Sequence, residues 1–124
     1  MGKYCRGGPS DLRTVDDDGS SRSLLPFDLI ALEELDRYHG FFHPLLRLLG
    51  YRSTFIPKTR APGVELGYYS DGCALFWKSD AFRLIEPVKG GNFVAGGSQV
   101  YLVATLRHVE SGRDVVVGVT HLKA

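Results

Sequence analysis

The sequence has no long apolar run, which excludes a membrane-spanning helix of about 20 such residues. It shows no secretory leader, because Met1-Gly2-Lys3-Tyr4-Cys5-Arg6 leads into Gly, Ser and Asp rather than into an apolar stretch. Met1-Gly2 opens like an acylation signal, but Arg6 stands where Ser or Thr is required. Cysteine is scarce: Cys5 and Cys73 lie far apart and are too few for a Cys-based metal cluster. Reduced thiols are the simpler reading, which points to an intracellular and, most simply, cytoplasmic location. A surplus of one charge is missing as well. The 15 Lys and Arg balance 14 Asp and Glu to a net +1, without the basic excess of a passive nucleic-acid-binding module. An enzyme that handles phosphate through metal ions needs no such excess. The Gly-rich stretch Gly90 to Gly97 matches neither the dinucleotide fingerprint nor the P-loop, and reads as a connector or a hairpin tip. No Ser-His-Asp or Cys-His constellation emerges from spacing.

What is present suits one ordinary domain: 124 residues, 44% hydrophobic and 23% charged. Residues 1–24 are poor in apolar side chains and read as a flexible tail or linker, with Asp16-Asp17-Asp18 as a solvated acidic run. Order is expected from residue 25 to 124. Phe27 to Leu32 reads as a buried strand ending in Glu33-Glu34-Leu35-Asp36. Asp36 is a candidate N-cap for a helix from about Arg37 to Leu49 that stops at Gly50. Pro44 either kinks that helix or opens a second one. Gly50 to Ile56 is a short extended element ending at Pro57, and residues 57–70 form a long loop with a basic entry at Lys58. Gly72 to Trp77 is a buried strand, with Ala81 to Glu86 as its expected hairpin partner. Val100 to Val109 and Asp114 to Thr120 are β-rich runs joined by Glu110-Ser111-Gly112-Arg113.

Several residues are candidates for chemistry. Glu34, at the exit of the first strand, is placed to ligate a hard cation such as Mg²⁺; otherwise it is a solvated edge residue. Glu33, adjacent on a strand, is expected on the opposite face. Asp71 before Gly72 is turn chemistry or a substrate-side group. His121 ends a core strand and is placed to donate to a phosphate oxygen, with Lys123 two residues on as a phosphate holder. His39 and His43 have the spacing of a zinc helix but lack the general-base Glu, and read as surface or packing residues. His108 is expected to face solvent or a cross-strand partner, and Cys73 to be core.

Four ordered segments carry a family resemblance. Phe27-Asp28-Leu29-Ile30-Ala31-Leu32-Glu33-Glu34-Leu35-Asp36 resembles the "D-I-x-x-L-Q-E-x-D" segment of the endonuclease/exonuclease/phosphatase superfamily. Leu49 to Lys58 resembles the stretch that follows it in the nocturnin-like, deadenylase branch. Asp71 to Phe76 and Val119 to Ala124 match two further signatures of that branch. The resemblance covers about residues 27–124.

By this resemblance Glu34 is the metal-binding glutamate and His121 the histidine near the scissile phosphate. Lys58 and Lys123 match phosphate-contacting residues, and Asp71 belongs to a substrate-side strand entry. The implied function is that of a Mg²⁺-dependent phosphohydrolase or 3′-5′ exoribonuclease, acting on an RNA 3′ end such as poly(A) or on a nucleotide phosphate such as the 2′-phosphate of NADP(H). The chain departs from the pattern in three respects: Glu33 replaces the family Gln, and neither the opening Asn strand nor the later "GDFN" and Asp-His segments is found. The expected object is an N-terminal-half fragment of the catalytic domain. Its fold class is α/β, a partial four-layer sandwich with about one mixed β-sheet, one main covering helix and the second sheet missing. It is expected to be inactive alone, with Mg²⁺ held only in the complete domain. The alternative is a non-catalytic RNA- or nucleotide-binding remnant.

Overall fold

The computed structural model describes residues 13–15, 21–23, 25–59 and 71–122. The acidic run 16–18, most of the basic-entry loop, Cys5 and Lys123 lie outside the described residues. Within the segment read as a tail, β1 (Arg13–Val15) and β2 (Ser21–Ser23) pair antiparallel.

The centre of the fold is β5 (Gly72–Lys78), in which Gly72 to Trp77 are all buried. Such a run forms only where a strand is covered on both faces. β3 (Leu29–Leu35) and β4 (Tyr51–Pro57) pair antiparallel with its two edges, giving a sheet in the order β3-β5-β4. The alternation of β5 then divides the core. Ala74 and Phe76 face the helical layer with Leu35, Tyr38, Leu46, Leu49 and Tyr51. Cys73, Leu75 and Trp77 face the other way, against Val100, Leu102, Ala104, Leu106 and Val119. Phe76 and Leu75 are fully excluded from solvent, and each such burial contributes about 1.5–3 kcal/mol.

That second face is a second sheet. β8 (Val100–His108) pairs with β9 (Asp114–Thr120) along one edge, and with β6 (Phe82–Leu84) and β7 (Lys89–Asn92) along the other. Its inward residues alternate with half-exposed ones, the signature of a strand with one covered face. The expectation of one mixed sheet with the second missing is therefore overturned. A three-stranded and a four-stranded sheet share one core, and every ladder is antiparallel. The expected hairpin between Gly72–Trp77 and Ala81–Glu86 fails for the same reason. Both edges of β5 are taken by β3 and β4, so β6 finds its partner in β8, with Phe82 opposite His108.

Pro44 opens a second helix. A π-helical turn (Tyr38–Phe42) precedes α1 (His43–Leu48), and Pro44 lies in the first turn of α1. Proline has no N–H to give to the preceding turn, and Phe41 and Phe42 both donate to the Arg37 carbonyl, at 3.1 and 3.0 Å. Arg37, not Asp36, is the N-cap, without a side-chain capping bond. Gly50, at φ 92°, ends the helix as expected. Among the described residues no helix is long and apolar enough to cross a membrane.

Candidate functional site

The site begins with an irregularity in β3. Leu32 is opposite Ala74 and Leu35 opposite Gly72, so Glu33 and Glu34 together face the single residue Cys73. This one-residue bulge brings both Leu32 and Leu35 onto the helical side of the sheet, where Leu35 is 6% exposed. Regular alternation would put them on opposite faces. The extra residue is accommodated by Glu34, the one non-glycine among the described residues with a left-handed backbone, at φ 51°. A side chain there is strained, and such strain is typical of positions that aim a functional group.

Glu34 is aimed at His121. Its Oε1 lies 3.2 Å from His121 Nδ1, with side-chain exposures of 62% for the glutamate and 35% for the histidine. The Nδ1 atom itself is buried and has no aligned hydrogen bond. His121 is held by the end of β9, where Thr120 Oγ1 donates to the Val100 carbonyl at 2.9 Å. The two residues come from different sheets and meet at one end of the shared core.

The same end receives Lys58 and Asp71. They extend the β4–β5 ladder by one step: Lys58 N donates to the Asp71 carbonyl at 2.8 Å, and Lys58 Nζ pairs with Asp71 Oδ2 at 3.0 Å. Gly72 permits this closeness, since a Cβ there would sit 2.0 Å from the Ile56 carbonyl oxygen. Lys123 lies outside the described residues.

Two features escaped the sequence reading. Cys73 belongs to the core as expected, but its surroundings belong to the site. Burial pushes its thiol pKa up, as do the charges of Glu33 and Asp71, while a hydrogen bond with the His121 backbone and the charge of Lys58 oppose them. The thiol is thus held protonated and is no nucleophile. Glu33 acts on this same neighbourhood, since the bulge removes the alternation that would separate it from Glu34. The second feature is the Gly-rich stretch. Its Gly90 to Asn92 lie in β7 and the rest forms the tip of the β7–β8 hairpin, one of the two forms expected; what the sequence did not show is its contact with Thr59, next to Lys58. Asn92 Nδ2 donates to the Gly97 carbonyl at 2.5 Å and to Thr59 Oγ1, and Thr59 Oγ1 donates to that same carbonyl at 3.2 Å. No motif marks such a contact.

His39 and His43 pack on the Tyr38 ring, at 4.9 and 5.2 Å between centroids. His108 lies 5.3 Å from the ring of its cross-strand partner Phe82. Among the described residues no group of three His, Cys, Asp or Glu side chains could hold a metal ion. Mg²⁺ takes a near-octahedral set of oxygens, so Glu34 with His121 does not make a complete Mg²⁺ site. What the cluster offers is a hard carboxylate, an imidazole and a lysine ammonium converging at the mouth of two sheets.

No family model matches the chain. It is similar to Nocturnin of Mus musculus, 40% identical over 101 residues that make up 78% of this chain and 24% of the relative. It is also similar to the CCR4-Not complex 3′-5′-exoribonuclease subunit Ccr4 of Yarrowia lipolytica, 31% identical over 118 residues, 77% of this chain and 17% of that protein. Among solved structures, the human Nocturnin catalytic domain with bound sulfate anion superposes with TM-score 0.71 at 39% identity, over 78% of this chain and 37% of that one. ANGEL2, a 2′,3′-cyclic phosphatase in complex with adenosine-2′,3′-vanadate, gives 0.66 at 27% identity, over 77% of this chain and 28% of that one. The chain thus spans about a quarter of the length of the Nocturnin sequences it matches. Sequence and fold together make it a homologue of the nocturnin-like nucleases of the endonuclease/exonuclease/phosphatase superfamily, corresponding to part of their length.

Proposed function

We propose that this chain carries part of a phosphoester-hydrolase site that acts on an RNA 3′ end or a nucleotide phosphate. The observation that supports the reading best is the 3.2 Å approach of Glu34 to His121, two residues brought from different sheets to one mouth. In this reading His121 donates to a non-bridging phosphate oxygen, and Lys58, oriented by Asp71, supplies positive charge beside it. Lys123, two residues after His121 in the sequence, is a further candidate for holding the phosphate. Glu34 is one ligand of a Mg²⁺ ion whose other ligands are not among the described residues. A single carboxylate holds Mg²⁺ weakly, so the 124-residue chain by itself is inactive in this reading.

The test has two arms. The purified chain is incubated with poly(A) and Mg²⁺, and AMP release is measured against a chelator control. No metal-dependent release is expected, and full-rate release would refute the inactivity. In the second arm residues 25–122 replace the matching segment of the human Nocturnin catalytic domain. The chimera is expected to hydrolyse its substrate, and Glu34→Gln or His121→Ala to cut the rate by about 100-fold or more. A folded, active chimera indifferent to both substitutions would refute the assignment. A folded chimera that binds RNA without turnover would favour the non-catalytic remnant.

A further inference from the structure

A cavity of about 720 Å³ lies at the opposite end of the sandwich. β4 starts at Tyr51 opposite Lys78 and ends at Pro57 opposite Gly72, so its first residues are about 20 Å from the Glu34–His121 mouth. The cavity is lined by His43 and Arg47 of α1, by Arg52 of β4, by Arg83 of β6, and by Trp77 and Phe82. It runs along β4, which is an edge strand of its sheet.

Its charge is one-sided. Three arginines and a histidine line it, and no Asp or Glu does. Asp80 and Glu110 adjoin the lining residues in sequence and are exposed, but do not line the cavity. Arg47, Arg52 and Arg83 are themselves exposed, and none is ion-paired with a carboxylate among the described residues. Elsewhere Lys58 pairs with Asp71, Lys78 with Asp28 and Arg107 with Asp114, while Arg37, Lys89 and Arg113 show no ion pair among the described residues. Like charges gathered in a concave, partly apolar space repel one another and focus a positive field outward. Guanidinium groups match phosphate oxygens with two parallel bonds, and three of them exceed what a carboxylate needs. The volume is that of a small-ligand site, and Trp77 and Phe82 give it an apolar wall.

We propose that this cavity binds a phosphate-bearing ligand of nucleotide size, at a site separate from the Glu34–His121 mouth. The ligand is a free nucleotide or one residue of a polynucleotide, which share the phosphate chemistry. The inference does not rest on the hydrolase reading.

Trp77 lines the cavity and is the only tryptophan of the chain, so its fluorescence reports occupancy directly. The 124-residue chain is titrated at low salt with adenosine 5′-monophosphate, with a short oligoadenylate and with an acidic peptide of equal charge. A saturable change is expected with the nucleotide, the oligoadenylate or both. Response to the mononucleotide identifies a free ligand, and response to the oligoadenylate alone identifies a polynucleotide. Arg47→Gln combined with Arg52→Gln raises the half-saturation concentration by about ten-fold or more, while Lys89→Gln, which removes an exposed cation that does not line the cavity, leaves it unchanged. Circular dichroism checks that the double variant folds. If it does not, Arg83→Gln on the other sheet serves instead, with an expected weakening of about three-fold or more. The proposal is overturned by no saturable change, by equal response to the acidic peptide, by arginine variants that bind like the parent, or by an equal weakening in Lys89→Gln. Loss of hydrolysis in the chimera described above leaves it standing, so the two readings fail separately.

Discussion

The left-handed backbone at Glu34 makes a prediction about stability that inverts the usual order of residues. In an extended strand, replacing alanine by glycine costs about 0.5–1 kcal/mol, because glycine loses more conformational freedom on folding. At φ 51° the comparison changes, since a residue with a Cβ pays about 1–2 kcal/mol for that conformation and glycine pays none. Glu34→Ala and Glu34→Gly both delete the contact with His121 and leave the mouth equally open, so those effects cancel between them. The difference leaves Glu34→Gly more stable than Glu34→Ala by roughly 0–1.5 kcal/mol, centred near 0.75. Urea unfolding monitored by Trp77, which is buried between the sheets at 5% exposure, measures this difference directly. An advantage for alanine would show that Glu34 is not held left-handed and that the bulge does not aim it. Glu34→Gln, which keeps the Cβ, should unfold close to the parent.

Further outcomes follow from the same geometry. Gly72→Ala places a Cβ 2.0 Å from the Ile56 carbonyl oxygen, which must part the ends of β4 and β5. The lost Lys58–Asp71 backbone bond and the overpacking together cost about 2–4 kcal/mol in urea unfolding. Gly40→Ala meets no atom within 4 Å and should not destabilise. In a Cys5→Ser background, Cys73 should react with a thiol reagent at pH 8 only as fast as the chain opens, because burial holds the thiol protonated. A folded-state pKa above the unfolded one contributes stability at pH below the unfolded value, which is lost as pH rises through the folded one. Stability should therefore decline in the alkaline range, and less so in Cys73→Ala. The Arg107 guanidinium, bonded to both oxygens of Asp114, lowers the carboxyl pKa. Arg107→Gln should return the Asp114 titration, followed by NMR, to the usual carboxylate range.

Much of the local structure was legible in the sequence by itself, although the helix starts from Arg37 rather than Asp36 and with a π-helical turn. The β-branched runs and their turn placed β8 and β9, Gly50 fixed the end of the helix, and the apolar run from Gly72 to Trp77 read as a buried strand. Motif order singled out Glu34, Lys58, Asp71 and His121, the apolar strand around Cys73 marked it as core, and the missing general-base Glu marked His39 and His43 as surface or packing residues. Which edges pair is a different kind of information. Alternation tells a strand which face to bury but not which neighbour to take, so Ala81–Glu86 looked like a partner of β5. Only the tertiary structure, with β3 and β4 already on both edges, sends it to β8 and creates the second sheet. The bulge that turns Glu34 toward His121 has the same origin: Leu32 and Leu35 must both reach the helical side, and one added residue is the way a strand can do so. The link from the Gly-rich tip to Thr59, and the arginines of α1, β4 and β6 around one cavity, depend on residues far apart in the chain, and no local pattern encodes their meeting.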